Sequence, residues 1–112
     1  MMADNILQEC LGKPQDLSSL VSYANDSVVS KTVINKDVGT VTLFAFDKGQ
    51  SLSEHTSPYD ALVEVIDGKA TLTIDGNDIE VNSGQLIIMP GNVPHSVNAN
   101  ERFKMVLIMI RA

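Results

Sequence analysis

Two histidines carry most of the chemical potential of this chain. His55 lies in "SEHTSPYDALVEVIDG", Ser53 to Gly68, and His95 lies in "MPGNVPHSV". They are the only two imidazoles present. Neutral imidazole suits iron, nickel, copper and zinc, and it gives or takes a proton near neutral pH. The two rings act as one site only if the fold brings them together. Ser57 follows His55 by two positions. In a regular strand Ser53, His55 and Ser57 then share a face, while Glu54 and Thr56 take the other. A serine next to a histidine also suggests a nucleophile with its base, but no oxyanion-hole motif or orienting acid accompanies it. Cys10 is the single cysteine, so no internal disulfide forms, and no motif surrounds it.

The elements that must position these residues read as strands. Period-two and β-branched runs predict strands over Ser27–Asn35, Gly39–Phe46, Ala61–Ile66, Lys69–Asp75, Asp78–Val81, Leu86–Met89, Val93–Asn98 and Phe103–Ile110. Asp67-Gly68 and Asp75-Gly76 are both read as hairpin turns, because glycine tolerates positive φ. Asp16 is placed to cap a short helical turn over Leu17–Leu20, with Leu17, Leu20 and Val21 as its apolar side. Many short strands with turns every eight to twelve residues or so indicate an all-β sandwich or barrel. Pro90 and Pro94 remove backbone donors, which places His95 near a barrel rim.

With those residues in place, the two histidine stretches resemble the two motifs of the cupin superfamily. The first motif opens at Gly49, reaches His55 after five residues and closes at Gly68. The second runs from Gly84 through Pro90 to His95. The resemblance covers roughly Gly39 to Ile110. It implies a conical antiparallel β-barrel of the jelly-roll type, often paired as a dimer. It also implies three imidazoles and a carboxylate around one metal ion, and here the chain departs from the pattern. Ser57 stands for the second histidine of the first motif, and Ala61 for its glutamate. In the second motif Asn92 stands for the glycine and Ala99 for the final asparagine. Asn92 still tolerates the left-handed conformation that a turn needs.

Two readings of the site follow. In the first, the protein binds a small molecule in the barrel pocket, with His55, Ser57 and His95 as polar anchors among aliphatic and methionine side chains. In the second, it is a metal-dependent enzyme of dioxygenase or isomerase type, with His55 and His95 holding a divalent transition metal weakly. Firm binding usually takes three or four protein ligands. A bound substrate carboxylate, or waters, would complete the shell. No residue is assigned a catalytic role, and Met89, Met105 and Met109 are read as core filling. A regulatory module acting through a partner protein is a third class, without a motif of its own.

The whole chain bounds these readings. Its 112 residues suggest one domain, with an N-terminal arm and short helical turn over 1–26 and the barrel over 27–112. A hydrophobic content of 44% and a charged content of 20% are globular. A net charge of −6 with no Lys/Arg cluster argues against nucleic acid. The N-terminus lacks the features of a signal peptide, and "MVLIMI" is too short to span a bilayer, so a cytoplasmic location without membrane contact is expected. Strands such as "ALVEVI" are apolar on both faces: Ala61, Val63 and Val65 on one, Leu62 and Ile66 on the other. The barrel interior uses one face only. With little helix to cover the second, a homodimer through a sheet face is expected.

Overall fold

The computed structural model describes residues 2–112, and its regular structure is almost entirely strand. In chain order the elements are β1 (Met2–Asn5), α1 (Leu7–Cys10), β2 (Val28–Lys36), β3 (Gly39–Phe46), β4 (Ser51–His55), β5 (Ala61–Ile74), β6 (Asn77–Asn82), β7 (Leu86–Met89), β8 (His95–Asn98) and β9 (Phe103–Ile110). A 3-10 turn covers Leu17–Ser19. One sheet runs β1-β2-β3-β9-β5-β7 and the other β6-β5-β8-β4, so β5 belongs to both. All these pairings are antiparallel except β1 with β2.

The alternation along β3 shows why the sheets curl around a core. Phe44 and Phe46 point inward, where Phe46 stacks on Phe103 at 4.5 Å between ring centroids. Val63, Val65, Leu72 and Met105 join them, all buried. Leu43 and Ala45 point outward, as the alternation requires, yet they are buried too. They are covered by the chain's own N-terminal arm through Ile6 and Val21. The expectation that something must cover the second face is therefore met, over part of that face, from within the chain.

Polar contacts fasten the arm. Lys104 Nζ donates to the carbonyl of Ser18 at 2.6 Å and Arg102 Nη2 to Asn25 Oδ1 at 3.3 Å, while Arg102 Nε donates to Asp47 Oδ1, just past β3, at 2.6 Å. That guanidinium is the main reason the Asp47 carboxyl is held below the ordinary aspartate range. The Tyr23 ring lies under both cations, 5.1 Å from the Arg102 guanidinium carbon and 5.0 Å from Lys104 Nζ. Its hydroxyl donates to Asp67. Burial, followed by the Asp67 carboxylate, pushes the Tyr23 hydroxyl well above its ordinary pKa.

Three expectations need correction. Asp67-Gly68 is not a hairpin: Ala61–Ile66 and Lys69–Asp75 form the single strand β5, whose register against β9 slips between Val65 and Asp67. The positive φ of Gly68, +72°, serves a bulge that bends β5 out of the first sheet and into the second. Asp75-Gly76 is the hairpin expected, with φ of +50° and +78° at its two central residues. The last strand before "NANE" begins at His95, not Val93, because the prolines leave Val93 and Pro94 in the loop. Around Leu17 the turn is a three-residue 3-10 element that Asp16 flanks without a side-chain cap. Leu17 itself is exposed, since so short a turn carries only Leu20 and Val21 onto the sheet. Strand β1 and helix α1 were not anticipated from the sequence.

A β-carbon added at Gly68 would lie 2.1 Å from the carbonyl oxygen of Arg102, in a backbone conformation already adverse to L-residues. Gly68→Ala is expected to cost about 2–4 kcal/mol in urea unfolding. Gly76→Ala, whose β-carbon meets nothing within 4 Å, is expected to cost about 1 kcal/mol. Equal costs for the two would contradict the bulge as described.

Candidate functional site

His55 and His95 meet. They are directly opposite residues of β4 and β8, so their side chains leave the sheet on the same face. The ring centroids are 4.3 Å apart at an interplanar angle of 71°, and Nε2 of each lies 3.1 Å from Nε2 of the other. His95 is buried and His55 exposed, so the pair joins the barrel wall to solvent.

Each ring is anchored through its other nitrogen. His55 Nδ1 lies 3.0 Å from the carbonyl of Ser53, and His95 Nδ1 lies 3.1 Å from the carbonyl of Val93. A carbonyl only accepts, so both Nδ1 atoms carry hydrogen. If both imidazoles are neutral, two Nε2 lone pairs then face each other. Three protons on the four nitrogens satisfy every contact: one ring donates through Nε2 and the other accepts. Burial, and secondarily the neighbouring His55, lower the pKa of His95. The two Nε2 atoms thus satisfy each other through one shared hydrogen, and become a donor and an acceptor for a third group only when that bond is replaced.

The other residues of the two motifs are structural here. The Ser57 hydroxyl accepts from the Tyr59 backbone N–H at 3.2 Å, as a turn-forming serine does, and not from either histidine. The Ser57 carbonyl accepts from Asn92 N at 2.6 Å. Asn92 has φ of +64°, the left-handed turn expected of it. Ala61 is buried in register with Met89 and Met109, so apolar packing occupies the place of the motif carboxylate. Ala99 is buried and exchanges backbone hydrogen bonds with Gly49 and Gln50. Met89 and Met105 are core residues, as read from the sequence.

Sequence reasoning missed Asp60. Its Oδ1 accepts from Gly91 N at 2.8 Å and ties the loop that delivers His95 to the segment that follows His55. The Ser53 and Val93 carbonyls were missed as well, and no residue type encodes them. The expected aliphatic pocket around the histidines takes a different form. Phe44, Phe46, Phe103 and Leu72 fill the barrel interior. Clefts of about 430, 290, 360 and 280 Å³ open elsewhere on the surface, and none of these is lined by His55, Ser57 or His95. The pair is a shallow site at the barrel mouth.

No group of three or more His, Cys, Asp or Glu side chains able to hold a metal exists among the described residues. The donor set, two imidazoles, does not fit a three-His, one-carboxylate centre. No helix among the described residues is long and apolar enough to cross a membrane.

A curled, two-sheet, all-β barrel whose two histidine-bearing motifs meet at its mouth defines the class: a jelly-roll barrel. The chain belongs to the cupin superfamily, and the cupin-domain family model (Cupin_2) matches residues 42–111, more than half of the chain. A conserved Streptococcus pyogenes protein of unknown function is 37% identical with a TM-score of 0.86, over 89% of this chain and 88% of that one. A cupin superfamily protein of Desulfitobacterium hafniense is 28% identical with a TM-score of 0.85, over 89% and 92%. A cupin 2 conserved barrel domain protein of Leptotrichia buccalis is 40% identical with a TM-score of 0.82, over 84% of this chain and 46% of that one. No curated protein matches.

The site predicts a pH dependence. In the fold His95 resists protonation, whereas unfolding returns it to an ordinary imidazole with a pKa near 6.5. Between those two values the unfolded chain binds more protons, so stability falls as pH drops from above 6.5 through the lowered pKa of His95, and this contribution levels off below it. Urea unfolding of wild type from pH 8 to pH 5 is expected to show that decline, and His95→Asn to flatten it. The same slope in both proteins would assign the effect elsewhere.

Proposed function

We propose that this cupin binds a small molecule bearing a hydroxyl or carboxylic acid group, at the mouth of its barrel and between His55 and His95. One observation carries the reading: two Nε2 atoms converge at 3.1 Å while both Nδ1 atoms are committed to carbonyls. Such a pair presents one donor and one acceptor. A hydroxyl, or a protonated carboxyl, offers the matching acceptor and donor. The ligand oxygen accepts from one ring and its hydrogen goes to the other, replacing the direct bond between the two Nε2 atoms. Ser57 supports the site through its turn and contributes no contact of its own to the rings. The same two groups are an acid and a base held side by side, the arrangement that proton transfer on a bound hydroxyl compound would use.

A metal-dependent enzyme of dioxygenase or isomerase type is the competing reading. Its support is the same distance, since two imidazoles on one ion, with bonds of about 2.0–2.1 Å, place their nitrogens about 3 Å apart. Against it stands the donor count, and the missing donors would have to come from outside the chain.

Imidazole ¹⁵N NMR on the full chain separates the two. Titration with a panel of hydroxy acids and sugars is expected to move the Nε2 signals of both histidines, and His55→Ala to weaken the best ligand about tenfold. A panel that leaves both signals unmoved in a folded protein would sink the proposal. Stoichiometric transition metal in the purified protein, lost in both His55→Ala and His95→Ala, would establish the second reading in its place.

A further inference from the structure

The tripeptide Ile-Asp-Gly occurs twice in the chain, as Ile66-Asp67-Gly68 and Ile74-Asp75-Gly76. An Asp-Gly pair carries a chemistry of its own. The main-chain nitrogen of the glycine and the Cγ of the aspartate close a five-membered ring through two rotations, ψ and χ1 of the aspartate. Glycine has no β-carbon to hinder the approach, and holding both groups in one chain gives them a high effective concentration. Whether the ring forms depends on whether the fold leaves those rotations free. Both aspartates are exposed, so access to water does not separate the two pairs.

The backbone separates them. Asp67 and Gly68 register with Lys104 and Phe103 of β9, and a β-carbon at Gly68 would lie 2.1 Å from the Arg102 carbonyl oxygen. The Asp67 carboxylate also accepts from the Tyr23 hydroxyl. Turning ψ at Asp67 would part β5 from β9 at the bulge. Asp75 and Gly76 instead form the two-residue tip between the paired Ile74 and Asn77, and a β-carbon at Gly76 would meet nothing within 4 Å. Among the described residues the Asp75 carboxylate holds no hydrogen bond or ion pair, and the Gly76 N–H donates to no acceptor.

We infer that Asp75-Gly76 is a site of spontaneous covalent modification, at which the chain isomerises to isoaspartate, while the fold protects Asp67-Gly68. The Gly76 nitrogen bonds to Asp75 Cγ and gives up its hydrogen, and a carboxyl oxygen leaves as water. Water then adds to either carbonyl of the succinimide. Addition at the main-chain carbonyl breaks its bond to the Gly76 nitrogen and frees it as a carboxylate. The chain then runs through Cβ and Cγ. One water leaves and one enters, so the mass is unchanged.

The tip lies against the histidine site. Asp75 N donates to the Pro94 carbonyl at 2.9 Å, and Ile74 is in register with His95. Pro94 follows Val93, whose carbonyl holds His95 Nδ1. A two-residue hairpin tip has a set geometry, and one more main-chain atom between Asp75 Cα and the Gly76 nitrogen no longer fits it. The strain passes to the Pro94 contact, and so to the segment that aims His95.

Ageing the full chain in H₂¹⁸O at neutral pH, folded and in parallel unfolded in urea, tests the inference. Each ring opening leaves one ¹⁸O in the chain. Trypsin cuts after Lys48, Lys69 and Arg102, which puts the two pairs in different peptides, and fragmentation locates the label. In urea the two pairs are expected to react within about twofold of each other, because the same tripeptide surrounds both. In the folded protein Asp75 is expected to react at least about tenfold faster than Asp67. Asp75→Glu, whose ring would have six members, is expected to take up no label there. The imidazole ¹⁵N signals of His95 are expected to shift in the isomerised fraction and to stay in place in Asp75→Glu aged alike. Equal labelling of the two pairs in the folded protein would overturn the inference. So would an unlabelled Asp75 once the unfolded chain has reacted fully. His95 signals unmoved in isomerised protein would overturn the link to the site.

Discussion

The bulge at Gly68 is the constraint on which the rest of the structure depends. Fourteen residues of β5 run as one strand, yet their first half pairs with β7 and β9 and their second half with β6 and β8. A strand without a bend would keep all four partners in one sheet. Gly68 supplies the bend with a positive φ, and the Arg102 carbonyl packs where a side chain would begin. Everything that closes the barrel follows from it. The second half of β5 carries β8, β8 carries β4, and the register of those two strands sets His95 opposite His55. The bulge also places Asp67 under Tyr23, where the arm is fastened. One backbone conformation thus links the core, the arm and the site.

At the site, backbone acceptors do the work that carboxylates do around many histidines. Because Ser53 and Val93 each take an Nδ1 hydrogen, the tautomer of each ring is set, and the two Nε2 atoms can be satisfied only by a proton or by a third group. Burial then divides the roles, keeping His95 neutral and leaving His55 to face solvent. Two residues with the same chemistry come to differ because their surroundings differ.

Much of this was legible in the sequence, in proportion to how local the cause is. The bounds of β3, β7 and β9 follow from alternation and flanking turns, as do the opposite faces of Phe44/Phe46 and Leu43/Ala45. The approach of His55 to His95 followed from motif spacing. Asp67-Gly68 misled because Asp-Gly satisfies a hairpin and a bulge alike. What separates them is a carbonyl from distant Arg102, which local sequence does not reveal. Strand β1 was invisible because four residues with little β propensity are held by register with β2 and by the Ile6 N–H on the Thr32 carbonyl. The anchors of the imidazoles were invisible for another reason: every residue has a carbonyl, so only three-dimensional placement makes those of Ser53 and Val93 special. Ser57 shows the converse, a side chain that motif spacing singled out and that geometry turns to its own loop.

The outer face of the first sheet follows from the same alternation as the core. A strand of the first sheet that carries apolar residues at every position fills the barrel with one set and must cover the other. The arm reaches Leu43, Ala45 and Val106 and is held there by Arg102, on Asn25 and Tyr23, and by Lys104, both at the β9 end nearest the bulge. Its fastening points therefore limit its cover to that end. Toward Ile108 and Ile110 the strands continue past the arm, and the chain supplies no further segment there among the described residues.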